Sequence, residues 1–379
     1  MLPLEGLRVV ALEQAVAGPF CSRQLADLGA DVIKVERPGE GDLARGYDGA
    51  LGGVSAYFAW LNRGKRSVVL DLKSPDGAAT LEKLLAGADV FVHNLLPGAV
   101  ERLGFGWDTV RERFPRLIWV SISGYGLSGP YAHKKAYDML IQAEAGVIAL
   151  TGSVEEAAKV GISVADIASG MYAHSSILAA LLVRGRTGRG ERIEISMFEA
   201  LTEWMMPPMY SLIGQGRAPG RAGLRHNMIV PYGAYRCADG QVMFAVQNER
   251  EWVSFCADVL ERPDLTHDER FATNAQRLAH RAPLEDTIEA AFAGLTRDGV
   301  SARLEQAGIA SARVNSVQEV VNHPQLQERQ RWTQVQTPAG TIPALIPPHN
   351  LGSEPPRMGR VPALGEHTAE VLAELERTP

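Results

Sequence analysis

Short, nearly continuous apolar runs recur through the first half of the chain, with helical patterns between them. Residues 7–13 (LRVVALE), 31–36 (DVIKVE), 67–72 (SVVLDL), 89–94 (DVFVHN) and 117–123 (LIWVSIS) are rich in Val, Ile and Leu, as strands buried on both faces are. Residues 18–28 predict a helix with Phe20, Leu25 and Leu28 inward, and a second helix starts after Ser74 with Pro75 in its first turn. A further strand is expected at 191–196. Alternation of this kind predicts an α/β domain with a parallel sheet.

Residues 160–182 (VGISVADIASGMYAHSSILAALL) change period midway. Val160, Ile162 and Val164 alternate with small residues as in a strand, and Asp166 falls on the same phase. From Ile167 onward, Met171, His174, Leu178, Leu181 and Leu182 lie at helical spacing. A carboxylate is thus expected at a strand-to-helix junction, beside the unpaired N–H groups of a helix start. That setting favours an ionised, oriented group, serving as a helix cap or as a nucleophile.

After about Gly214 the pattern changes. The Gly- and Arg-rich stretch QGRAPGRAGLRHN reads as a linker, and GAYRCADGQVMFAVQ as a hairpin turning at Asp239–Gly240. Helices are expected at 251–260, 283–295 and 300–308, which makes a smaller α+β domain. A strand- and Pro-rich stretch follows Trp332, then a helix at 366–375. The boundaries are 1–200 for a large domain, 201–225 for a linker, 226–330 for a small domain and 331–379 for a return segment.

Composition narrows the function. The chain has 379 residues, is 46% hydrophobic and carries a formal charge of −6, so bulk attraction to nucleic acid is not expected. Its three cysteines, Cys21, Cys237 and Cys256, are too few and too scattered for a disulfide framework or a zinc site. The start lacks the pattern of a secretory signal, and no run approaches the roughly 20 apolar residues of a membrane span. A cytoplasmic protein with no membrane partner is the expectation.

Several motifs are weak alone. GYGLSG (Gly124, Gly126, Gly129) follows a strand, but Pro130 comes next and no helix opens, so nicotinamide or flavin binding is not indicated. No HExxH, CxxC, GxSxG or GxxxxGK motif occurs, which argues against metal catalysis, a serine nucleophile elbow and a phosphate loop. His174 lies on the apolar face of its helix and reads as a core histidine. The basic stretch RGRTGRGER reads as a solvated turn, with a phosphate-binding surface as the sharper alternative.

Taken together, six segments resemble the class III CoA-transferases, the family of formyl-CoA transferase and carnitine CoA-transferase. They are residues 17–45 (AGPFCSRQLADLGADVIKVERPGEGDLAR), 61–77 (LNRGKRSVVLDLKSPDG), 89–105 (DVFVHNLLPGAVERLGF), 121–131 (SISGYGLSGPY), 136–152 (AYDMLIQAEAGVIALTG) and 164–173 (VADIASGMYA). They run in family order through nearly the whole first half, and the second half matches more loosely. The resemblance implies an α/β fold: a Rossmann-like large domain completed by the C-terminal segment, a smaller α+β domain, and an interlocked homodimer.

The resemblance places the family's nucleophile on Asp166, and implies transfer through an aspartyl-acyl anhydride and an aspartyl-CoA thioester. It also implies that coenzyme A is held by Gln14, Ala15, Val16 and Ala17, by Arg37, by Leu70 and Lys73, by Asn94, Leu95 and Arg102, and by Lys135 and Tyr137. Basic side chains suit the CoA phosphates. The cosubstrates implied are acyl-CoA and a carboxylic acid.

Two departures refine this. The racemase branch has a histidine before the aspartate that matches Asp138, whereas this chain has Tyr137, so an α-proton racemase would lose one acid/base group. The glycine run of formyl-CoA transferase is replaced by HNMIVPYG at 226–233, which speaks against formate and oxalate. The segments AYDMLIQAEAG and NEREWVSFC resemble the dicarboxylate branch, which handles succinate, mesaconate, itaconate and malate. A second carboxylate needs a cationic partner, for which Arg45, Arg225 and His226 are candidates. The rival expectations are a 2-methylacyl-CoA racemase and a non-catalytic CoA-binding protein.

Overall fold

A computed structural model describes residues 1–349, 351–352 and 354–377. In chain order the first elements are β1 (Arg8–Leu12), α1 (Ala17–Asp27), β2 (Asp31–Glu36), α2 (Ala56–Asn62), β3 (Lys65–Val69), α3 (Pro75–Ala86) and β4 (Val90–His93). Then come α4 (Ala99–Arg102), α5 (Trp107–Arg113), β5 (Ile118–Ser123), α6 (Asp138–Glu144), α7 (Val147–Leu150), α8 (Val164–Thr187), β6 (Arg192–Ser196), α9 (Met197–Trp204) and α10 (Met206–Gln215). The remainder is β7 (Tyr232–Cys237), β8 (Gly240–Ala245), α11 (Glu249–Ser254), α12 (Asn274–Ala279), α13 (Arg281–Phe292), α14 (Arg297–Gln306), β9 (Ala310–Arg313), α15 (Val317–Val321), α16 (Pro324–Glu328), β10 (Trp332–Thr337), β11 (Gly340–Leu345) and α17 (Thr368–Arg377).

The chain divides into two compact units: Met1–Val147 with Val160–Pro207 and Leu326–Pro379, and Ile148–Lys159 with Pro208–Gln325. The first holds a six-stranded, all-parallel sheet in the order β3-β2-β1-β4-β5-β6. Strand alternation sends side chains to two cores. Val9, Ala11, Val32, Val92, Val120 and Ile122 pack under α1 and α8. Val10, Leu12, Ile33, Val35, Phe91 and Trp119 pack under α3, α5 and α17. Both faces are covered, which is why these strands read as continuous apolar runs. The connection order reverses between β1 and β4, the place where open parallel sheets of this kind bind ligands at their carboxyl edge.

The C-terminal segment returns to this unit for a physical reason. β3 is an edge strand, and an edge exposes unpaired N–H groups. Ser67 N–H donates to His367 Nδ1 at 3.2 Å and Val69 N–H to Thr368 Oγ1 at 3.0 Å. Arg66 adds ion pairs to Glu370 and Glu374 on α17. The hairpin β10–β11 packs Val335, Ile342 and Ala344 on Ala44, Phe58 and Ala59.

Three differences from the sequence-based expectations stand out. Residues 160–163 form no strand: α8 begins at Val164 and Asp166 sits in its first turn. Three alternating residues give too short a strand to hold without a pairing partner, and a distant carboxylate caps the helix instead. β3 lies at Lys65–Val69, two to three residues before the expected 67–72. Finally, α8 is long and apolar enough to cross a membrane by length and composition, contrary to the expectation that no run is. In this fold Ala165, Ala168, Ser169, Gly170, Ala173, His174, Ile177 and Ala180 are buried along it, and it packs against α1 and β5.

The second unit holds the antiparallel sheet β7-β8-β9. Tyr235, Val242 and Phe244 pack on Trp252, Phe255, Leu284, Ile288, Phe292, Val300 and Leu304. The β7–β8 turn is made by Ala238 and Asp239, one residue before the expected Asp239–Gly240, and Gly240, with φ +150°, opens β8. β9 was not expected, because all four of its residues are exposed and carry no apolar alternation.

Candidate active site

Asp166 lies in the first turn of α8, where helix N–H groups have no intrahelical acceptor. Ser163, in the cap position, makes no side-chain cap bond. Asp138, at the start of α6, supplies the acceptor: its Oδ1 takes the N–H of Ala165 at 2.7 Å and of Asp166 at 3.3 Å. Gln142, one turn along α6, donates Nε2 to Asp138 Oδ2 at 2.6 Å and accepts the Val160 N–H at 2.8 Å. The cap and the chain entering α8 are therefore held by one helix.

The Asp166 side chain faces the loop after β1. Burial and the Asp138 charge push its carboxyl up to about 7, while a hydrogen bond from the Ala17 N–H works the other way. Tyr47 feels the same charge: burial and the carboxylates of Asp42 and Asp166, with a smaller contribution from Tyr137, raise its phenol above the usual value. The close approach of α1 to α8 rests on Gly170. A Cβ there would lie 2.8 Å from the Ala17 carbonyl oxygen and 2.9 Å from Phe20 Cδ1.

The loop after β1 is tightly specified. Gln14 N–H donates to Asn94 Oδ1 at 2.9 Å, and Asn94 Nδ2 returns a bond to the Gln14 carbonyl at 2.8 Å. Asn94 thus joins the loops after β1 and β4 across the switch in connection order. Ala15 sits at φ +63° and donates its N–H to Asp42 Oδ1 at 2.8 Å. Val16 is buried with Phe20, Leu61 and Ile167.

Beneath this loop is a buried charge cluster. Lys65 Nζ donates to Glu13 Oε1 at 2.6 Å, to the Pro19 carbonyl at 3.0 Å and to Asn62 Oδ1 at 2.9 Å. Lys34 Nζ pairs with Asp42 Oδ2 at 2.7 Å and reaches the Glu13 carbonyl at 3.3 Å. Ser22 Oγ bonds the Glu13 carboxylate. Burial opposes ionisation of Glu13, yet the two ammonium groups hold its carboxyl below the usual range. Burial drops Lys65 to about 8, against the pull of Glu13.

The residues assigned to coenzyme A fall largely at the ends of four neighbouring strands. Gln14–Ala17 follow β1, Arg37 follows β2, Leu70 and Lys73 follow β3, and Asn94 and Leu95 follow β4. Arg102 ends α4, and Lys135 and Tyr137 precede α6. Lys73, Arg102, Lys135 and Tyr137 are exposed, while Leu70 is buried and Leu95 partly so. Arg37 donates to the Gly41 carbonyl at 3.1 Å and pairs with Glu40 at the surface.

The three cations suggested for a second substrate carboxylate have internal partners. Arg45 makes two bonds to Glu36, at 2.8 and 2.7 Å, and lies 3.8 Å from the Phe58 ring centre. Arg225, in the second unit, pairs with Glu285 and Glu289 and lies over Tyr235. His226 stacks on Tyr232 at 4.9 Å, and its Nδ1 accepts the N–H groups of Met228 and Ile229.

His174 is buried, and burial together with the neighbouring His349 and Arg23 takes its imidazole down to about 4. In the basic turn, Arg184 is buried and pairs with Asp89 at 2.9 Å, while Arg192 pairs with Glu194. Sequence reasoning missed Tyr47 and Asp42. The only local signal was the acidic residue of GDLAR, which caps the short helical turn Leu43–Gly46 leading to Tyr47.

Comparison with known proteins adds an independent line. The family described as CoA-transferase family III matches residues 4–368. The succinate–glutarate CoA-transferase of Agrobacterium fabrum is 36% identical over 99% of this chain and 96% of its own length. The succinyl-CoA:mesaconate CoA-transferase of Haloarcula hispanica is 34% identical over 98% of this chain and 96% of its own. A crystal structure of a CaiB/BaiF family protein from Brucella suis superposes with a TM-score of 0.87 at 35% identity, covering 99% of each chain.

Proposed function

The chain belongs to CoA-transferase family III, and from that premise we propose that it moves coenzyme A between C4 and C5 dicarboxylic acids, with Asp166 as the covalent carrier. The observation that carries the reading is the Asp166 carboxylate itself: it sits in a helix first turn, meets the Ala17 N–H, and titrates near neutrality. The relatives named for succinate, glutarate and mesaconate support the substrate class.

The proposed chemistry needs neither water nor an external base. An Asp166 oxygen attacks the thioester carbonyl of the donor, the C–S bond breaks, and coenzyme A leaves as thiolate from an aspartyl-acyl anhydride. The thiolate then attacks the Asp166 carbonyl carbon and expels the donor acid, leaving an aspartyl-CoA thioester. An acceptor carboxylate attacks that thioester, and the released thiolate attacks the acceptor's acyl carbon. Asp166 is regenerated as carboxylate.

A carboxylate is a weak nucleophile, so the protein must supply orientation and charge stabilisation. The α6–α8 capping arrangement orients Asp166, and the Ala17 N–H favours its ionised form. The carboxyl edge of β1–β4, with Arg37, Lys73, Arg102 and Lys135 around it, is the proposed seat of the CoA nucleotide, and Tyr137 lines the approach to Asp166. The resemblance further supports a homodimer of interlocked protomers in the cytoplasm, and light scattering on the purified protein tests the dimer.

The decisive experiment incubates the enzyme with succinyl-CoA and hydroxylamine. The expected result is inactivation only when both are present, with the hydroxamate on the Asp166 peptide by mass spectrometry. Asp166→Ala that still transfers CoA would sink the mechanism. A panel of oxalate, succinate, glutarate, mesaconate, itaconate and malate as acceptors, read by product mass, fixes the acid.

A further inference from the structure

The Gln14–Ala17 loop adopts a conformation that its own sequence disfavours. Ala15 has φ +63°, a region L residues other than Gly, Asn and Asp rarely enter. Such a conformation persists only where the surroundings over-determine it. Two residues later the same loop brings Ala17 against α8: a Cβ at Gly170 would lie 2.8 Å from the Ala17 carbonyl oxygen, and the Ala17 N–H favours the ionised form of Asp166. The turn Leu43–Gly46 leads to Tyr47, whose phenol feels the Asp166 charge.

One oxygen joins this loop to that turn. Asp42 Oδ1 accepts the Ala15 N–H at 2.8 Å and the Ala44 N–H at 2.9 Å. Its other oxygen is fixed by Lys34 at 2.7 Å, both side chains being fully buried, and Lys34 also reaches the carbonyl of Glu13, the residue before Gln14. Asp42, Lys34 and Glu13 therefore close a ring around the entrance of the loop.

We propose that Asp42 is a positioning residue for the transfer reaction, which holds Ala15 in its left-handed conformation and so keeps the Ala17 N–H by Asp166. The proposal rests on the reading of Asp166 as nucleophile. Asp42 acts on the reaction only through the backbone it holds. If the clamp opens, Ala15 relaxes to negative φ, the Ala17 N–H leaves the carboxylate, and the ionised form of Asp166 loses a donor that favours it. The other titratable groups whose charges are coupled to Asp166 are the Asp138 carboxylate, from α6, and the phenol of Tyr47, which Tyr137 also influences.

The test compares kcat, the pH profile of kcat/KM for succinyl-CoA and the melting temperature among four proteins: wild type, Ala15→Pro, Asp42→Ala/Lys34→Met, and the last combined with Ala15→Gly. Proline removes the N–H and fixes negative φ, severing the clamp while leaving the Asp42–Lys34 pair intact. Lys34→Met removes the ammonium that Asp42→Ala would strand. The expected result is a fall in kcat on the order of ten- to a hundredfold in both severed forms, with the acid limb moved to higher pH. Glycine, unstrained at φ +63°, is expected to recover part of the loss in the Asp42→Ala/Lys34→Met background.

Severed variants that are folded yet keep wild-type kcat and an unmoved acid limb overturn the proposal, as does an absence of rescue by glycine. A mere loss of stability would lower the melting temperature without moving the limb, and that outcome also overturns it. If the Asp42 variant does not fold, Ala15→Pro alone decides between these outcomes. Asp166→Ala separates the two levels: activity without Asp166 refutes the covalent mechanism, whereas an inactive Asp166→Ala beside unaffected clamp variants refutes the clamp alone.

Discussion

Asp138 Oδ1 accepts the backbone N–H of Asp166 at 3.3 Å, so one carboxylate holds the backbone of another while its charge opposes that neighbour's ionisation. The two effects separate by substitution. Asp138→Asn keeps an oxygen for the N–H groups of Ala165 and Asp166 but removes the charge. The acid limb of kcat/KM is expected to move to lower pH, with some loss of melting temperature because the new amide nitrogen meets the Gln142 Nε2 donor. Asp138→Ala removes the cap as well and is expected to cost about 1 kcal/mol of stability, together with most of kcat. Urea unfolding and pH-rate profiles on both variants check this, and identical profiles would contradict it.

The titration of Asp166 has its own consequences. Below about 7 its carboxyl is protonated and cannot attack, so kcat/KM for the acyl-CoA donor is expected to fall as pH drops through that value. The sign for stability is the opposite. A carboxyl whose folded pKa lies above its unfolded one binds its proton more tightly when folded, a contribution that is complete below the unfolded value and is lost as pH rises through about 7. Asp166→Asn is therefore expected to be more stable than wild type at pH 8, on the order of 1 kcal/mol after solvent screening, and to gain nothing at low pH. Melting curves at several pH values read both.

How much of this was legible in the sequence depends on which forces write locally. β2 and β5 read correctly within a residue at either end, because strands buried on both faces must be apolar throughout. The helix opening at Pro75 was signalled by the Ser74 cap and the proline itself. β9 was silent, since all its residues are exposed and its place comes only from pairing with β8. The apparent strand before Asp166 was misleading: alternation over five residues is compatible with an extended lead-in to a helix. Asp42 and Tyr47 could not be found from spacing, because their roles arise when the loops after β1 and β2 close on each other. Arg45 shows what a sequence does not display: a cation suggested for a substrate carboxylate also pairs with Glu36 inside the protein.

The buried cluster under the loop gives a prediction about charge rather than catalysis. Glu13, Lys34 and Lys65 have no side-chain exposure, and Lys65 carries three bonds to protein oxygens. Lys65→Met strands part of the Glu13 charge and is expected to destabilise by about 3–5 kcal/mol. Lys65→Met combined with Glu13→Gln removes both members of the closest pair and is expected to recover more than half of that loss. A double-mutant cycle by denaturant unfolding measures the coupling, and additive losses would count against a linked network.

The last prediction concerns the contact that brings α1 to α8. Gly170 lies four residues beyond Asp166, on the next turn, and faces the Ala17 carbonyl and the Phe20 ring. Backbone cannot yield there as a flexible side chain can, so Gly170→Ala forces α1 away from α8. The cost is expected to be about 1–3 kcal/mol, typical of an overpacked core. The displacement falls on Ala17, whose N–H favours the ionised form of Asp166, the proposed nucleophile, so kcat should drop more than KM rises. Alanine favours helix interiors over glycine by roughly 0.5–1 kcal/mol, which makes the test sharp: if the contact is loose, Gly170→Ala stabilises the protein and leaves the rate unchanged. Steady-state kinetics alongside thermal unfolding decide between a helix held at a fixed distance and one that merely happens to lie near.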